Sequence, residues 1–355
     1  MFFNKTEEKF ITGNEAAIMG AKNAGAIFMA GYPITPSTEI LEGWAKEANQ
    51  NFALKFTQTE DETSAGFNVL GGTLAGIKSF TATAGVGNVL MQDPISMAEA
   101  MRLPFVGLVM QRGGPSTGTV IYSQQEVTLT CYGGNGEGLR IVYSTSNPQE
   151  IYDYTIKAFN SAWKYRFPTF VLGDGYQSKM KTKVRINKPK ITNSYPLVGR
   201  QGQITNIRNC YNFEDQLGEV LSKNILEYEK IKDQITEYSE YKCNDAETII
   251  FAHGIVSNAA KEAIDELRSK HNKKVGLFRP ITLRPFPSAA ASDFASRARK
   301  IIIMESSNGH FSRIVKDNIY GLAKIDYLFK PVMPISKEDI ISKIINNNNF
   351  DWLEH

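Results

Sequence analysis

Three acids in a row, Glu60-Asp61-Glu62, open a segment otherwise built of small and apolar residues: Ala65, Gly66, Val69, Leu70, Gly71, Leu74 and Ala75. Carboxylates in a first helical turn ordinarily answer the positive end of the helix dipole. Glu62, however, falls on one face with Ala65 and Val69 at i, i+3 and i+7, which sets it on the buried stripe of an amphipathic helix. A half-buried carboxylate beside two other acids has its proton affinity raised. Such a group can donate or share a proton with a bound heteroaromatic nitrogen.

Two further places could meet an anion. In Gly31-Tyr32-Pro33-Ile34-Thr35-Pro36-Ser37-Thr38 an apolar run, Ala26 to Ala30, stops and an amphipathic segment starts. Pro36 suits a first helical position and Thr35 the N-cap before it, so the junction reads as an open helix end for a small carboxylate or phosphate, or as a well-capped helix only. Arg112 closes an apolar run and enters Gly113-Gly114-Pro115-Ser116-Thr117-Gly118. Glycines there let backbone approach a ligand and a guanidinium grips carboxylates in a fork; the plainer reading is a loop arginine paired with a local acid.

Three other strings carry less. Gly71 to Ser79 almost spells a phosphate-binding loop, but Ile77 separates Gly76 from Lys78. Gly173-Asp174-Gly175 resembles the start of a metal-diphosphate motif, yet the polar run Gln177 to Lys183 follows, so it reads as a turn ending a strand. Gly85-Val86-Gly87 lacks the third glycine of a dinucleotide fingerprint.

The elements that must position these residues alternate. From Gly13 to Asp174, strands are expected after residue 26 and at Phe52 to Thr57, Ser79 to Thr83, Pro104 to Met110, Ile141 to Ser144 and Thr169 to Leu172. Helices are expected at Glu62 to Gly76, near Val89 to Met101 and at Pro148 to Lys164. Parallel neighbours need helical crossovers, so this pattern specifies a doubly wound α/β sheet, with ligands at the carboxyl ends of its strands. Lys179 to Asp245 is polar and Lys-rich and reads as a connector holding an exposed helix at Glu214 to Lys232, its first part, Lys179 to Lys190, as solvated linker. Alternation resumes with Glu247 to Ala252, a helix at Asn258 to Lys270, Val275 to Phe278 and Lys300 to Met304, as in a smaller second α/β domain. The division expected is 1–178, a connector 179–245, a second domain 246–345 and an asparagine-rich tail 346–355.

The 355 residues, 42% of them hydrophobic, suffice for a full core and about two domains. Forty basic residues against 37 acidic ones, mixed along the chain, give a net charge of +3 and no field that argues for nucleic acid or a membrane surface. Cys131, Cys210 and Cys243, with no C-x-x-C pair, cannot build a disulfide framework, a metal site or an iron–sulfur site in this chain alone. With no signal-peptide core after Met1 and no apolar run near roughly 18 residues, a soluble cytoplasmic protein is expected.

In order and spacing, several pieces together resemble the alpha subunit of the 2-oxoacid:ferredoxin oxidoreductases, a family of thiamine diphosphate enzymes. They are Gly13-Asn14-Glu15-Ala16, Tyr32 to Ser37, Glu62 with Ala65 and Gly71, Arg112 to Pro115 with Gly118, Gly136-Glu137, Lys164-Tyr165-Arg166 and Arg279 to Pro287. The resemblance runs from Gly13 to about Ile341. It implies a doubly wound pyrimidine-binding domain followed by a smaller transketolase C-terminal-like domain. Glu62 takes the place of the glutamate that hydrogen-bonds N1′ of the aminopyrimidine; in thiamine enzymes that glutamate precedes a helix glycine by nine residues, which Gly71 satisfies from Glu62 and not from Glu60. Thr35 and Arg112 match positions that bind the 2-oxoacid carboxylate, and Tyr32, Pro33, Ile34, Glu62 and Gly85 match the cofactor wall.

The implied reaction converts a 2-oxoacid, coenzyme A and oxidised ferredoxin to acyl-CoA, carbon dioxide and reduced ferredoxin. The Mg2+ and diphosphate site and the [4Fe-4S] clusters would lie on partners: a beta subunit, with gamma and ferredoxin-like delta subunits as further candidates. A chain without them should be inactive alone. Val120-Ile121 and the Lys164 to Pro168 run resemble the branched-chain, 3-methyl-2-oxobutanoate, branch; Ser116-Thr117 is more like the 2-oxoglutarate branch, and pyruvate is a third candidate. Competing functions are a non-catalytic scaffold of the same fold, and a decarboxylating thiamine enzyme that uses no ferredoxin.

Overall fold

The computed structural model describes residues 7–198 and 207–346. Its strands are β1 (Glu7–Thr12), β2 (Phe28–Gly31), β3 (Lys55–Gln58), β4 (Ser79–Thr83), β5 (Val106–Gln111), β6 (Ile141–Ser144), β7 (Thr169–Asp174), β8 (Lys181–Ile186), β9 (Tyr238–Tyr241), β10 (Thr248–Phe251), β11 (Val275–Pro280), β12 (Thr282–Arg284), β13 (Lys300–Glu305) and β14 (Lys324–Phe329). The helices are α1 (Gly13–Asn23), α2 (Thr38–Gln50), α3 (Glu62–Leu74), α4 (Val86–Leu90), α5 (Gln92–Ala100), α6 (Val127–Tyr132), α7 (Pro148–Tyr165) and α8 (Gly175–Lys179) in the first half. There follow α9 (Glu214–Ile235), α10 (Val256–His271), α11 (Ser288–Arg297), α12 (His310–Ile319) and α13 (Lys337–Asn346).

The six expected strands of the first domain form one parallel array, β6-β7-β5-β4-β2-β3. β4, β5 and β7 are buried along their whole length, which is why they read as unbroken apolar or small runs rather than alternating ones. From β2 the chain steps to β3 on one side and then to β4 on the other. That reversal is the switch point of an open α/β sheet, where the loops after the strands part and leave a crevice. The second sheet runs β14-β13-β10-β11-β9, parallel except at β9.

The two halves interlock more closely than a chain of separate domains requires. β12, on the second-domain side of the chain, pairs antiparallel with β6 and extends the first sheet to seven strands. Arg279 reaches back to α7 and grips Glu150 with both ends of its guanidinium, at 2.8 Å from Nη1 to Oε1. Buried apolar side chains from both sheets, Phe105 and Phe170 on one side and Phe251 and Phe278 on the other, belong to one continuous core.

Several expectations are corrected. Residues 179–245 are no mere connector. β8 pairs with β1 along six residues, β9 edges the second sheet, and α9 buries Tyr228, whose hydroxyl donates to the Arg140 carbonyl at 2.6 Å. Thr35 does not cap α2. That helix starts three residues later at Thr38, and Thr35, Pro36 and Ser37 form a turn closed by the Ser37 N–H on the Ile34 carbonyl at 2.9 Å. The turn is held from α1, where buried Asn14 donates from Nδ2 to the Pro36 carbonyl at 2.8 Å. Gly173-Asp174-Gly175 is more than a turn, since Asp174 caps α8 by accepting from the Gln177 N–H at 2.9 Å. The expected tail at 346–355 lies, beyond Asn346, outside the described residues.

Candidate active site

Four loops leave the carboxyl ends of β2, β3, β4 and β5 around the switch point, and they carry Thr35, Glu62, Gly85 and Arg112 respectively. The three acids after β3 have separate roles. Glu60 is exposed and accepts from the Ser64 hydroxyl at 2.7 Å, which holds its carboxyl below the usual range. Asp61 is the N-cap of α3 and takes the Ser64 N–H at 2.7 Å. Glu62 turns inward and is 3% exposed.

Glu62 Oε1 is buried without a hydrogen-bond partner among the described residues, as is the nearby Thr83 Oγ1. Both oxygens crowd Gly87, where a Cβ would fall 2.2 Å from each. Burial, opposed by a hydrogen bond from the residue's own backbone N–H and by Arg112 and helped by the charge of Asp61, pushes the Glu62 carboxyl above its ordinary value of 4.5. An unpaired buried polar atom is costly, by about 1–3 kcal/mol, and its persistence points to a partner that arrives from outside.

Arg112 is 5% exposed and is oriented from both ends. Its Nη1 donates to the Thr35 carbonyl at 2.9 Å, so the turn after β2 and the strand end of β5 are joined directly. Its Nε is buried without a partner and packs against Gly85, where a Cβ would sit 2.5 Å from it. Gly85 has φ +56°, a left-handed conformation that glycine enters without a Cβ penalty, so this turn needs glycine twice over.

Behind that turn stands Glu126, which nothing in the sequence singled out. It is 5% exposed; its Oε1 accepts the N–H of Gly85 at 2.8 Å and the N–H of Arg112 at 3.0 Å, and its Oε2 accepts Asn88 Nδ2 at 3.0 Å. One carboxylate therefore fixes both the glycine turn and the arginine. Burial raises its proton affinity and those three hydrogen bonds oppose the rise.

A cavity of about 660 Å³ opens beside Gly85 and Arg112. Val86, Val89, Leu90 and Leu129 give it an apolar wall; Gly114, Pro115, Ser116, Gln125, Glu126 and His310 complete it. His310 comes from the second domain and hydrogen-bonds Thr128 Oγ1 through Nδ1 at 3.2 Å. Burial lowers its basicity. Val89 and Leu90 are 57% and 47% exposed, so this wall is open to solvent in the single chain.

Sequence reading thus named Thr35, Glu62, Gly85 and Arg112, and the fold brings them to one rim. Tyr32 and Pro33 lie exposed in the loop after β2, while Ile34 is buried. Thr35 contributes its carbonyl to Arg112, and its side chain is exposed. Glu126 and His310 were missed because neither sits in a motif: Glu126 holds Gly85 from 41 residues away, and His310 meets Thr128 from 182 residues away. Among the described residues no group of three or more His, Cys, Asp or Glu side chains could hold a metal ion. No helix among them is long and apolar enough to cross a membrane.

A family model described as pyruvate flavodoxin/ferredoxin oxidoreductase, thiamine diphosphate-binding, matches residues 19–250, and pyruvate:ferredoxin oxidoreductase core domain II matches 246–330. The ketoisovalerate oxidoreductase subunit VorB of Methanothermobacter marburgensis is 34% identical over 317 residues, covering 87% of this chain and 89% of its own. The 2-oxoglutarate synthase subunit KorA of Methanocaldococcus jannaschii is 34% identical over 330 residues, with 85% and 89% covered. A solved 2-oxoglutarate:ferredoxin oxidoreductase from Magnetococcus marinus, with 2-oxoglutarate, coenzyme A and succinyl-CoA bound, superposes with a TM-score of 0.85 at 25% identity. That likeness covers 97% of this chain and 65% of the longer one. The two-domain α/β architecture expected from the sequence is the one these proteins share.

Proposed function

This chain belongs to the alpha subunits of the 2-oxoacid:ferredoxin oxidoreductases, and we propose that it supplies the pyrimidine-binding and carboxylate-binding half of an active site completed by a beta subunit. The observation that carries this reading is the unpaired, buried Glu62 Oε1 beside Gly87. It fits one end of an aminopyrimidine: a flat ring whose nitrogen can take or share the proton that the raised Glu62 carboxyl holds. When bound, thiamine diphosphate supplies the nucleophilic carbon and the electron sink for loss of carbon dioxide.

The chain's own residues do the rest. Glu62 holds or gives a proton at N1′. Arg112, aimed by Thr35 and Glu126, binds the 2-oxoacid carboxylate as a charge-assisted fork. Gly85 and Gly87 keep the approach clear of Cβ atoms, and Tyr32, Pro33 and Ile34 flank the cofactor. The Mg2+ and diphosphate contacts and the [4Fe-4S] centre are assigned to the beta subunit. Gamma and ferredoxin-like delta subunits complete the assembly, with coenzyme A as acyl acceptor and ferredoxin as electron acceptor.

For the substrate we favour 3-methyl-2-oxobutanoate. The cavity beside Arg112 is walled by Val86, Val89, Leu90 and Leu129, which suits a branched apolar side chain. His310 on the same wall is made less basic by burial, which disfavours a second positive charge for a distal carboxylate. Ser116 on the same wall keeps 2-oxoglutarate as the second reading. The test is co-expression with a beta subunit and a coenzyme A-dependent viologen reduction assay over 3-methyl-2-oxobutanoate, 2-oxoglutarate and pyruvate. Highest kcat/KM with the branched acid is expected. Preference for 2-oxoglutarate would overturn the substrate, and no reduction with any 2-oxoacid by a complex that holds its cofactors would overturn the function.

A further inference from the structure

The second sheet has a switch point of its own. From β10 the chain steps to β11 on one side and later to β13 on the other, so the loops after β10 and β13 part at their carboxyl ends, where an open α/β sheet ordinarily receives a ligand. That crevice is filled from within the chain. Tyr122 and Gln124, 2% and 1% exposed, reach into it from the first-domain loop that runs from β5 to α6.

Gln124 is held there through its backbone and both ends of its amide. Its N–H donates to the Ser306 carbonyl at 3.2 Å, its Oε1 accepts the Ser306 N–H at 2.9 Å, and its Nε2 donates to the His253 carbonyl at 3.1 Å. The side-chain amide thus bridges the ends of β13 and β10 as a peptide group would. Gly254 has φ +59°, and a Cβ there would fall 2.9 Å from Gln124 Nε2, so the loop after β10 is shaped to admit the amide. Tyr122 adds its hydroxyl, donated to Ser306 Oγ at 2.7 Å.

The residues beside Gln124 serve the other domain. Ser123 Oγ donates to the Arg112 carbonyl at 2.9 Å, Gln125 Oε1 accepts the Gly114 N–H at 2.8 Å, and Glu126 Oε1 accepts the N–H groups of Arg112 and Gly85. Residues 123–126 therefore join the ends of β10 and β13 to the arginine turn through consecutive side chains. An amide locked onto main-chain groups has little freedom, and it fixes where the carboxylate two residues further on can stand.

We infer that Gln124 is a positioning residue of the active site: docked at the ends of β10 and β13, it makes the second domain the support on which Glu126, Gly85 and Arg112 are aligned. The inference rests on the proposed part of Arg112 as the carboxylate fork, and it gives the second domain a share in how tightly the 2-oxoacid is held.

The test is a double-variant cycle in the complex with the beta subunit. Gln124→Met keeps the side-chain length and loses both amide hydrogen bonds; it should raise KM for the 2-oxoacid about tenfold with a smaller change in kcat. In an Arg112→Ala background the same substitution should add less than about twofold, because the group it aims is already gone. Leu267→Ala, which opens a cavity in the core under α10 and lies outside this contact, should lower the melting temperature and leave KM as it is. In the full-length chain alone, the amide proton NMR signals of Gly85 and Arg112, which report their hydrogen bonds to Glu126, should move in Gln124→Met and in the isosteric Tyr122→Phe and stay in place in Leu267→Ala. Unmoved signals in Gln124→Met would overturn the inference. So would a tenfold effect that persists in the Arg112→Ala background, an equal rise of KM in Leu267→Ala, or a KM that Arg112→Ala raises and Gln124→Met does not. Moved signals with KM unchanged in both Gln124→Met and Arg112→Ala would uphold the positioning and overturn the carboxylate reading of Arg112 instead.

Discussion

Glu62 in the first domain and Glu305 in the second are both buried carboxylates beside the first turn of a helix, 3% and 0% exposed, and they are treated in opposite ways. Glu305, at the end of β13, accepts the N–H groups of Phe311 at 2.9 Å and Ser312 at 2.8 Å, and also the Ser307 hydroxyl. Its oxygens are spent on the first turn of α12, where a helix has donors without intrahelical partners. Glu62 stands at the first position of α3, but Asp61 has already capped that helix, and Oε1 is left with nothing. The fold satisfies the oxygens of Glu305. For Glu62 Oε1, left without a partner beside Gly87 at the carboxyl ends of the strands, a ligand is the better account.

The largest effect that would break this contrast is Glu62→Gln. In the complex with its beta subunit we expect turnover to fall by about 10²-fold or more, with the fold intact. Wild-type turnover would mean the wrong acid has been chosen. Arg112→Ala should come next, raising KM for the 2-oxoacid by about 10–100-fold, the weight of a charged hydrogen bond, against a smaller change in kcat. An unchanged KM would remove it from the carboxylate site. Glu126→Gln sharpens the picture because the Glu126 oxygens are spent on the Gly85 turn, Asn88 and the Arg112 N–H. With the Gly85 turn and Arg112 less firmly held, about a tenfold loss in kcat/KM is expected, and a loss of stability with full kcat/KM would make Glu126 purely structural.

Glu305→Ala should do the reverse. It leaves two helix N–H groups unmet and costs about 1–3 kcal/mol of stability, read by denaturant unfolding, while activity per folded molecule stays near wild type. Smaller still is a pH effect on the free chain. Because the folded Glu62 carboxyl is raised above its unfolded value of 4.5, its stabilising contribution is complete below 4.5 and is lost as pH rises through the folded value. Glu62→Gln removes that dependence. The melting temperature of the wild type should therefore fall relative to the variant as pH climbs through this interval, and parallel curves would show that the carboxyl is not raised.

Much of this was legible in the residues. Parallel strands buried on both faces appear as short apolar runs of the right length, and β4 and β6 have the bounds expected for them. The i, i+3, i+7 face of α3 separated Glu62 from Glu60 before any contact was known, and the buried face indeed holds Glu62, Ala65 and Val69. The Thr35 junction was misread because Pro at a first helical position and Pro inside a tight turn look alike locally, and the choice is made by Asn14, 22 residues away, holding the Pro36 carbonyl. Gly85-Val86-Gly87 looked weak as a motif for a similar reason. Its glycines answer Arg112 and Glu62, which no local spacing reveals. The stretch 179–245 seemed a connector because its elements pair with strands and loops distant in sequence, and a two-residue alternation on an edge strand is mostly polar.

The central claim is that Glu62 is kept unpaired and proton-hungry for a ring nitrogen brought by the cofactor. Carbon-13 NMR of the full-length chain labelled in glutamate carboxyls, with Glu62 assigned by comparison with Glu62→Gln, measures this directly. A titration midpoint above 4.5 that shifts when thiamine diphosphate and the beta subunit are added is the predicted result. A Glu62 midpoint at or below 4.5, unmoved by either addition, would contradict it.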